Sequence, residues 1–183
     1  MTLTLILLLL LPLVESPTWR NHGARLQRSA HDRSTALEIT VLGALGVLAG
    51  LAVAHFSVVS HCGGAVRGLG VAVAITGGAL RYWSIRTLGR YFTLTLQVKT
   101  SQAVVQSGPY RWVRHPSYLG GELAFLGLGL TTGNAWSALL MVAPLLVAHM
   151  RRIGVEESMM QAALGQRWLD YTRATARLIP FIY

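Results

Sequence analysis

Tyr118-Leu-Gly-Gly-Glu-Leu-Ala-Phe-Leu-Gly-Leu-Gly-Leu-Thr-Thr132, Gly133-Asn134 and Ala135-Trp-Ser-Ala-Leu-Leu-Met-Val-Ala-Pro-Leu-Leu-Val-Ala-His149 form the stretch that decides the fold. Two apolar runs flank a Gly-Asn turn signal, and Glu122 is the one acidic residue inside them. Neither run shows the strict alternation of a half-buried strand, so the reading is a helical hairpin. Each run holds about 15 residues, on the order of 22 Å of helix. The hairpin therefore extends into its flanks, sits in a thinned bilayer, or penetrates without crossing, and the sequence leaves these three open.

Working outward, Ala36–Ser60 is a second kind of run, apolar apart from Glu38 and His55 and long enough for a hydrocarbon core of about 30 Å. A third, Val66–Leu88, carries Arg67 at one end and Arg81, Tyr82, Trp83 and Arg86 at the other, where arginines snorkel and aromatics suit the interface. Residues 3–14 are leucine-rich, with no basic residue before them and no clear small-residue cleavage site after them, and read as a retained first membrane helix rather than a signal peptide. On the other side of the hairpin, Arg151–Tyr183 mixes charge with Val155, Met159, Leu164, Trp168 and Tyr171 at helical spacing, the pattern of an amphipathic helix at a membrane surface. The expected fold is an all-α integral membrane protein of about five transmembrane helices, with a polar loop and a C-terminal interfacial helix.

Composition agrees. Of 183 residues, 52% are hydrophobic and 13% charged, about half the charge of a soluble domain, and mean hydropathy is +0.47. A lone Cys62 excludes an intramolecular disulfide and a multi-cysteine metal site. The net charge of +9 would suit nucleic acid, but the arginines flank apolar runs instead of forming one basic face. With five crossings, Arg67 alone among the 16 basic residues falls on the side opposite the rest. The positive-inside rule then makes the polar loop and the tail cytoplasmic and the N-terminus external.

Polar chemistry gathers at that cytoplasmic edge. Ser107-Gly-Pro-Tyr110-Arg-Trp-Val-Arg114-His115-Pro116-Ser117-Tyr118 places a turn before Pro116, which disfavours helix at His115 and suits the first turn of the next helix. Arg152-Ile-Gly-Val-Glu156-Glu157 sets an arginine and a carboxylate four residues apart on one helix face. Arginine holds carboxylates, and glutamate accepts from an ammonium group. A site with both suits a zwitterionic ligand and an acidic substrate.

Arg114-His-Pro-Ser-Tyr118-x-Gly120, Arg152-x-x-x-Glu156-Glu157 and Leu164-Gly-x-x-Trp-x-x-Tyr171 together resemble the isoprenylcysteine carboxyl methyltransferases, within a wider group that includes phospholipid N-methyltransferases. The resemblance covers about residues 90–182, roughly half the chain. Length and the apolar runs give a single membrane domain over 1–183 with three N-terminal helices in 1–88, and the resemblance implies that 89–183 is the catalytic half. It further implies S-adenosyl-L-methionine as cofactor, held by Gln102, Ala103, Val104, Val105, Tyr110, His115, Pro116, Ser117, Tyr118 and Glu156, with Gln97 a further candidate. Arg152 matches the position that meets the substrate, and Arg152 and Glu156 are the catalytic candidates. Gln102 stands where family members often carry His. The partner implied is a lipid or prenylated acid reaching the site from the bilayer.

A carboxylate with a reference pKa of about 3.5 is ionised at neutral pH, so ester formation on a sulfonium methyl needs no general base. Three alternatives remain at this stage. Phospholipid N-methylation would need a proton acceptor such as Glu156 or Glu157. A membrane reductase would bind NADPH, and a transport or assembly protein would use the Arg-Glu pairs structurally. Gly46-x-x-x-Gly50 reads as internal helix packing, and His55, His61 and Cys62 as interface residues. Glu122 is expected to face the bundle or a cavity, since facing lipid is costly.

Overall fold

Helix is the conformation that satisfies a long apolar backbone internally, and helices account for nearly all that is regular here. The computed structural model describes residues 30–56, 63–92 and 103–180. They contain α1 (Ala30–Phe56), α2 (Gly64–Leu88), α3 (Pro116–Thr131), α4 (Ala135–Leu164) and α5 (Gln166–Ala174), with 3-10 turns at Gly89–Tyr91 and Gly108–Arg111. Among the described residues there is no strand, and an isolated parallel bridge joins Val113 to Ala176. The run at 3–14, His61, Cys62, Gln97 and Gln102 lie outside the described residues.

The packing order differs from the chain order: α1 packs on α4, α4 on α3, and α3 on α2. Each contact is antiparallel, as the glycines show. A methyl group at Gly70 would sit 2.7 Å from the Thr131 nitrogen, and one at Gly120 would sit 2.6 Å from the Arg81 nitrogen. Gly77 and Gly127 meet the backbones of Ala124 and Ala74 in the same way. Gly70 and Gly77 on α2 thus oppose Gly127 and Gly120 on α3, each pair spaced by seven residues, so one face persists over two turns. Each glycine costs the helix about 1 kcal/mol, which backbone-to-backbone contact offsets. On α1, Gly46 and Gly50 lie against the Leu140 and Ser137 carbonyls of α4, which bears out internal packing for that motif. Pro144, inside α4, leaves the Leu140 carbonyl without its helical partner, and Gly46 covers it.

The hairpin forms at Gly133-Asn134 as expected. Gly133 takes a left-handed φ of 77°, and the Asn134 side chain caps α4 by accepting from the Trp136 and Ser137 amides at 2.9 and 3.4 Å. Arg67, at the start of α2, lies over this turn. The opposite end of the bundle gathers the start of α1, the end of α2, the start of α3 and the second half of α4.

Three expectations need correcting. The fifth apolar run does not stop at His149, because nothing between His149 and Gly165 breaks a helix. α4 runs 30 residues, about 45 Å, until Gly165 at φ 56° donates to the Gln161 carbonyl. The segment after Arg151 is therefore not one interfacial helix. Its latter part, α5, buries Trp168 and Tyr171 against Leu164, Val104, Met160 and Ala163, so protein covers its apolar face. Arg81 does not snorkel outward; it turns in to Ser117 on α3, donating to its carbonyl and hydroxyl oxygens at 3.2 Å each.

Among the described residues, two helices, Thr35–Phe56 and Ala135–Leu164, are long and apolar enough to cross a membrane. α3 has 16 residues, and α2 carries five glycines with arginines near both ends. α1 leaves Leu37, Val41, Leu45, Leu48 and Phe56 exposed, an apolar face of the kind a bilayer covers.

Candidate active site

Helix phase brings the singled-out residues together. Tyr118 and Glu122, four apart, share a face of α3, while His149, Arg152 and Glu156 recur at the i, i+3, i+7 spacing on α4. The two faces meet. The Tyr118 hydroxyl donates to Glu156 Oε2 at 3.0 Å and accepts from Arg152 Nε at 3.0 Å. The sequence places Arg152 and Glu156 on one face, and Tyr118 links them. Arg152 Nη1 also donates to Thr35 Oγ1 of α1 at 3.1 Å, and both residues are buried. The guanidinium is thus held by hydroxyls on two different helices.

Pro116 starts α3 and is fully buried, with His115 outside the helix at φ −124° and ψ 54°. That break in backbone direction turns the His115 ring toward α4. Its Nε2 lies 3.2 Å from Glu157 Oε1, and its Nδ1 lies 4.0 Å from Glu156 Oε2. Glu157 is the centre of a clamp, taking Arg114 Nε at 2.9 Å and Arg177 Nη2 at 2.8 Å as well. Arg114 also donates to the Thr172 and Thr175 carbonyls, and the strand-like contact of 112–115 with 176–177 closes the clamp. The tail is thereby fastened to the loop that begins the site.

Glu156 is different. Its side chain is 26% exposed, against 17% for Glu157, and beside it lie a phenol and an imidazole. A carboxylate so placed fits the ammonium or sulfonium charge of S-adenosyl-L-methionine. Tyr110, in the preceding 3-10 turn, is buried, with its carbonyl accepting from the Tyr171 hydroxyl at 2.7 Å. Burial raises the pKa of both phenols, with Glu156 adding to the rise at Tyr110, so both stay protonated. Of the remaining cofactor candidates, Ser117 is buried and held by Arg81, Val104 packs on the α5 cluster, Val105 is half-buried and Ala103 exposed.

Several contributors were not singled out from sequence. Thr35 and Arg177 lie far along the chain from the motifs they join, with no local signal. His149 reads as the polar end of an apolar run, yet it is buried with Nδ1 2.7 Å from Glu122 Oε1. Its i+3 relation to Arg152 was a usable signal, provided that α4 continued. Glu122 does face the bundle.

The family model described as phospholipid methyltransferase matches residues 66–167, which span nearly all of α2 and the whole of α3 and α4. Protein-S-isoprenylcysteine O-methyltransferase of Tribolium castaneum is 35% identical over 119 residues, covering 62% of this chain and 41% of the relative. Its Arabidopsis thaliana counterpart A is 29% identical over 119 residues, covering 64% and 60%. The solved eukaryotic intramembrane Ras methyltransferase ICMT (isoprenylcysteine carboxyl methyltransferase) superimposes with a TM-score of 0.61 at 29% identity, over 78% of this chain and 52% of that one. The chain spans about half the length of these relatives. With the matched segment covering more than half of its residues, the chain belongs to the phospholipid methyltransferase family.

Proposed function

We propose that this chain is an S-adenosyl-L-methionine-dependent carboxyl O-methyltransferase of the membrane, acting on an isoprenylcysteine or a related lipid-linked carboxylate. The observation that carries the reading is the Tyr118 hydroxyl set between Arg152 and Glu156 at the end of the bundle. It joins an anion-holding group to a cation-holding group across one oxygen. Relatives named as isoprenylcysteine O-methyltransferases support the acid acceptor.

When bound, S-adenosyl-L-methionine supplies an electrophilic methyl group on a sulfonium. Glu156 and Tyr118, with His115, Pro116, Ser117, Tyr110, the 103–105 segment, Gln102 and Gln97, would hold it. Arg152 would bind the acceptor carboxylate and orient it for transfer. Because the acceptor carboxylate is already ionised at neutral pH, the site needs no general base to take a proton from it. Water exclusion by the surrounding helices strips the carboxylate of the hydration that would hold its charge. The protein spans the membrane several times, in about five helices, with this end of the bundle on the cytoplasmic side, and the lipid chain approaches between helices.

N-methylation of an amino-phospholipid is the second reading, favoured by the name of the family model. Its proton acceptor would be Glu156, since Glu157 is committed to Arg114, Arg177 and the His115 ring. Family membership supports methyl transfer over the reductase and transport alternatives. Calorimetric titration of the detergent-purified protein with S-adenosylhomocysteine and with NADPH tests the cofactor, with saturable binding expected for the former alone. Transfer of labelled methyl to N-acetyl-S-farnesylcysteine or to phosphatidylethanolamine then tests the acceptor. An ester releases its label as methanol in alkali and an N-methyl group does not. Alkali-stable label on phosphatidylethanolamine alone would overturn the carboxyl reading.

A further inference from the structure

One turn farther from the loop than Tyr118, Glu122 and His149 form a buried pair that the reaction as described does not use. Their side chains are 9% and 5% exposed, with Glu122 Oε1 2.7 Å from His149 Nδ1. Among the described residues, Glu122 Oε2 has no hydrogen-bond partner. Taking such groups out of water is costly, and exchanging a buried polar pair for apolar side chains of similar volume is often neutral or stabilising. Stability alone is therefore a poor account of the pair, and its neighbour offers a better one. The His149 ring lies 4.7 Å from the Tyr118 ring at 41°, while the His115 ring lies 5.8 Å from Tyr118 at 31°. The phenol whose hydroxyl links Arg152 and Glu156 is thus bordered by two imidazoles, and that of His149 on α4 is anchored through Nδ1 by Glu122, which shares the α3 face of Tyr118.

We infer that Glu122 and His149 are positioning residues for the Tyr118 hydroxyl. Glu122 sets the plane of the His149 ring, and that ring fixes the direction in which the phenol presents its oxygen to Arg152 and Glu156. A phenol is a long lever. Rocking of about 10° at its base displaces the hydroxyl by about 1 Å, and misplacement of that size in a reacting site costs as much as on the order of 10²-fold in rate. The inference rests on the reading of Tyr118, Arg152 and Glu156 as the working groups.

The test is a set of double-mutant cycles in the full-length, detergent-purified protein, with monodispersity and thermal denaturation as fold controls. Glu122→Leu and His149→Leu are each expected to lower kcat/KM for methyl transfer to N-acetyl-S-farnesylcysteine about tenfold. Glu122→Gln, which keeps an acceptor for His149, is expected to stay within about twofold of wild type. In the Tyr118→Phe background no hydroxyl remains to be aimed, and the Leu variants should then cost less than about twofold. Equal losses in both backgrounds would show a merely structural role and overturn the inference, as would no loss in either. If His149→Leu does not fold, His149→Asn keeps a side-chain amide for Glu122 while removing the ring. A second readout needs no turnover: the ¹⁹F resonance of 3-fluorotyrosine incorporated at position 118 is expected to shift or split in the Leu variants, and an unchanged line overturns the inference. Wild-type protein that neither binds S-adenosylhomocysteine nor transfers methyl refutes the methyltransferase reading instead, and the fluorine spectra still decide the positioning.

Discussion

Glu156 and Glu157 are consecutive on α4, and about 100° of helix rotation sends them to different regions of the molecule. Glu157 enters the clamp, where Arg114, His115 and Arg177 surround it and the tail is fastened to the loop. Glu156 enters the proposed site, where the Tyr118 hydroxyl is at 3.0 Å and His115 Nδ1 is at 4.0 Å. A saturated carboxylate is a fixture, and a partly exposed one beside a phenol and an imidazole can meet a ligand. The difference between structure and chemistry at this end of the bundle is thus a difference in helix phase.

The largest effect expected from this contrast is at the clamp. Glu157→Ala leaves Arg114 and Arg177 without their shared counter-charge in a mostly buried setting, which should cost about 3 kcal/mol of stability. Thermal denaturation reads the loss, and faster amide exchange at Arg114, His115 and Ala176, whose amides bond across the contact, reads release of the tail. A change below about 1 kcal/mol would break the comparison, because Glu157 would then be no fixture. Next is the site. Arg152→Ala should lower turnover about a hundredfold, about 2.7 kcal/mol, with S-adenosylhomocysteine affinity within about twofold. Full activity in folded Arg152→Ala would remove Arg152 from the substrate.

His115 belongs to both regions, its Nε2 toward Glu157 and its Nδ1 toward Glu156. His115→Ala is expected to cost about 1.5 kcal/mol of stability, together with about a tenfold loss of S-adenosylhomocysteine affinity. Loss of one property without the other would assign the imidazole to a single region. Glu156→Gln should change affinity alone, also about tenfold, with stability within about 0.5 kcal/mol. A fall in stability as large as that of Glu157→Ala would erase the distinction between the two carboxylates.

The helices were legible because apolar runs and a Gly-Asn turn are local signals, and the motif around His115 and Tyr118 marked the region of the site. Where α4 ends was less legible. His149-Met150-Arg151-Arg152 looks like a boundary between apolar and charged sequence, but a composition change does not break hydrogen bonds, and the helix continues to Gly165. The resemblance singles out Glu156 over Glu157, but the clamp around Glu157 was not legible, since it depends on Arg177 being brought back beside Arg114 by the tail. Arg81 was misread for a related reason. An arginine near the end of an apolar helix usually reaches outward, and here the close approach of α2 and α3 through Gly77 and Gly120 puts Ser117 within its reach.

The smallest expected effect delimits the clamp. Arg173 also lies in the C-terminal segment, three residues after Asp170, and the two make an ion pair at 3.5 Å with side chains 75% and 60% exposed. By sequence it is as good a candidate for holding the tail as Arg177. By environment it is not, because water and salt screen an exposed pair and the entropy of holding two mobile side chains opposes it. Arg173→Ala should therefore shift stability by less than about 0.5 kcal/mol and leave S-adenosylhomocysteine affinity unchanged. Measured beside Arg177→Ala, whose loss deprives Glu157 Oε2 of a contact at 2.8 Å, it separates a charge that closes the structure from one that merely decorates it. Equal losses for the two variants would mean that the tail is held by its overall basic charge and not by Glu157. Destabilisation should then decline steeply in high salt for both, whereas a buried clamp keeps most of its strength.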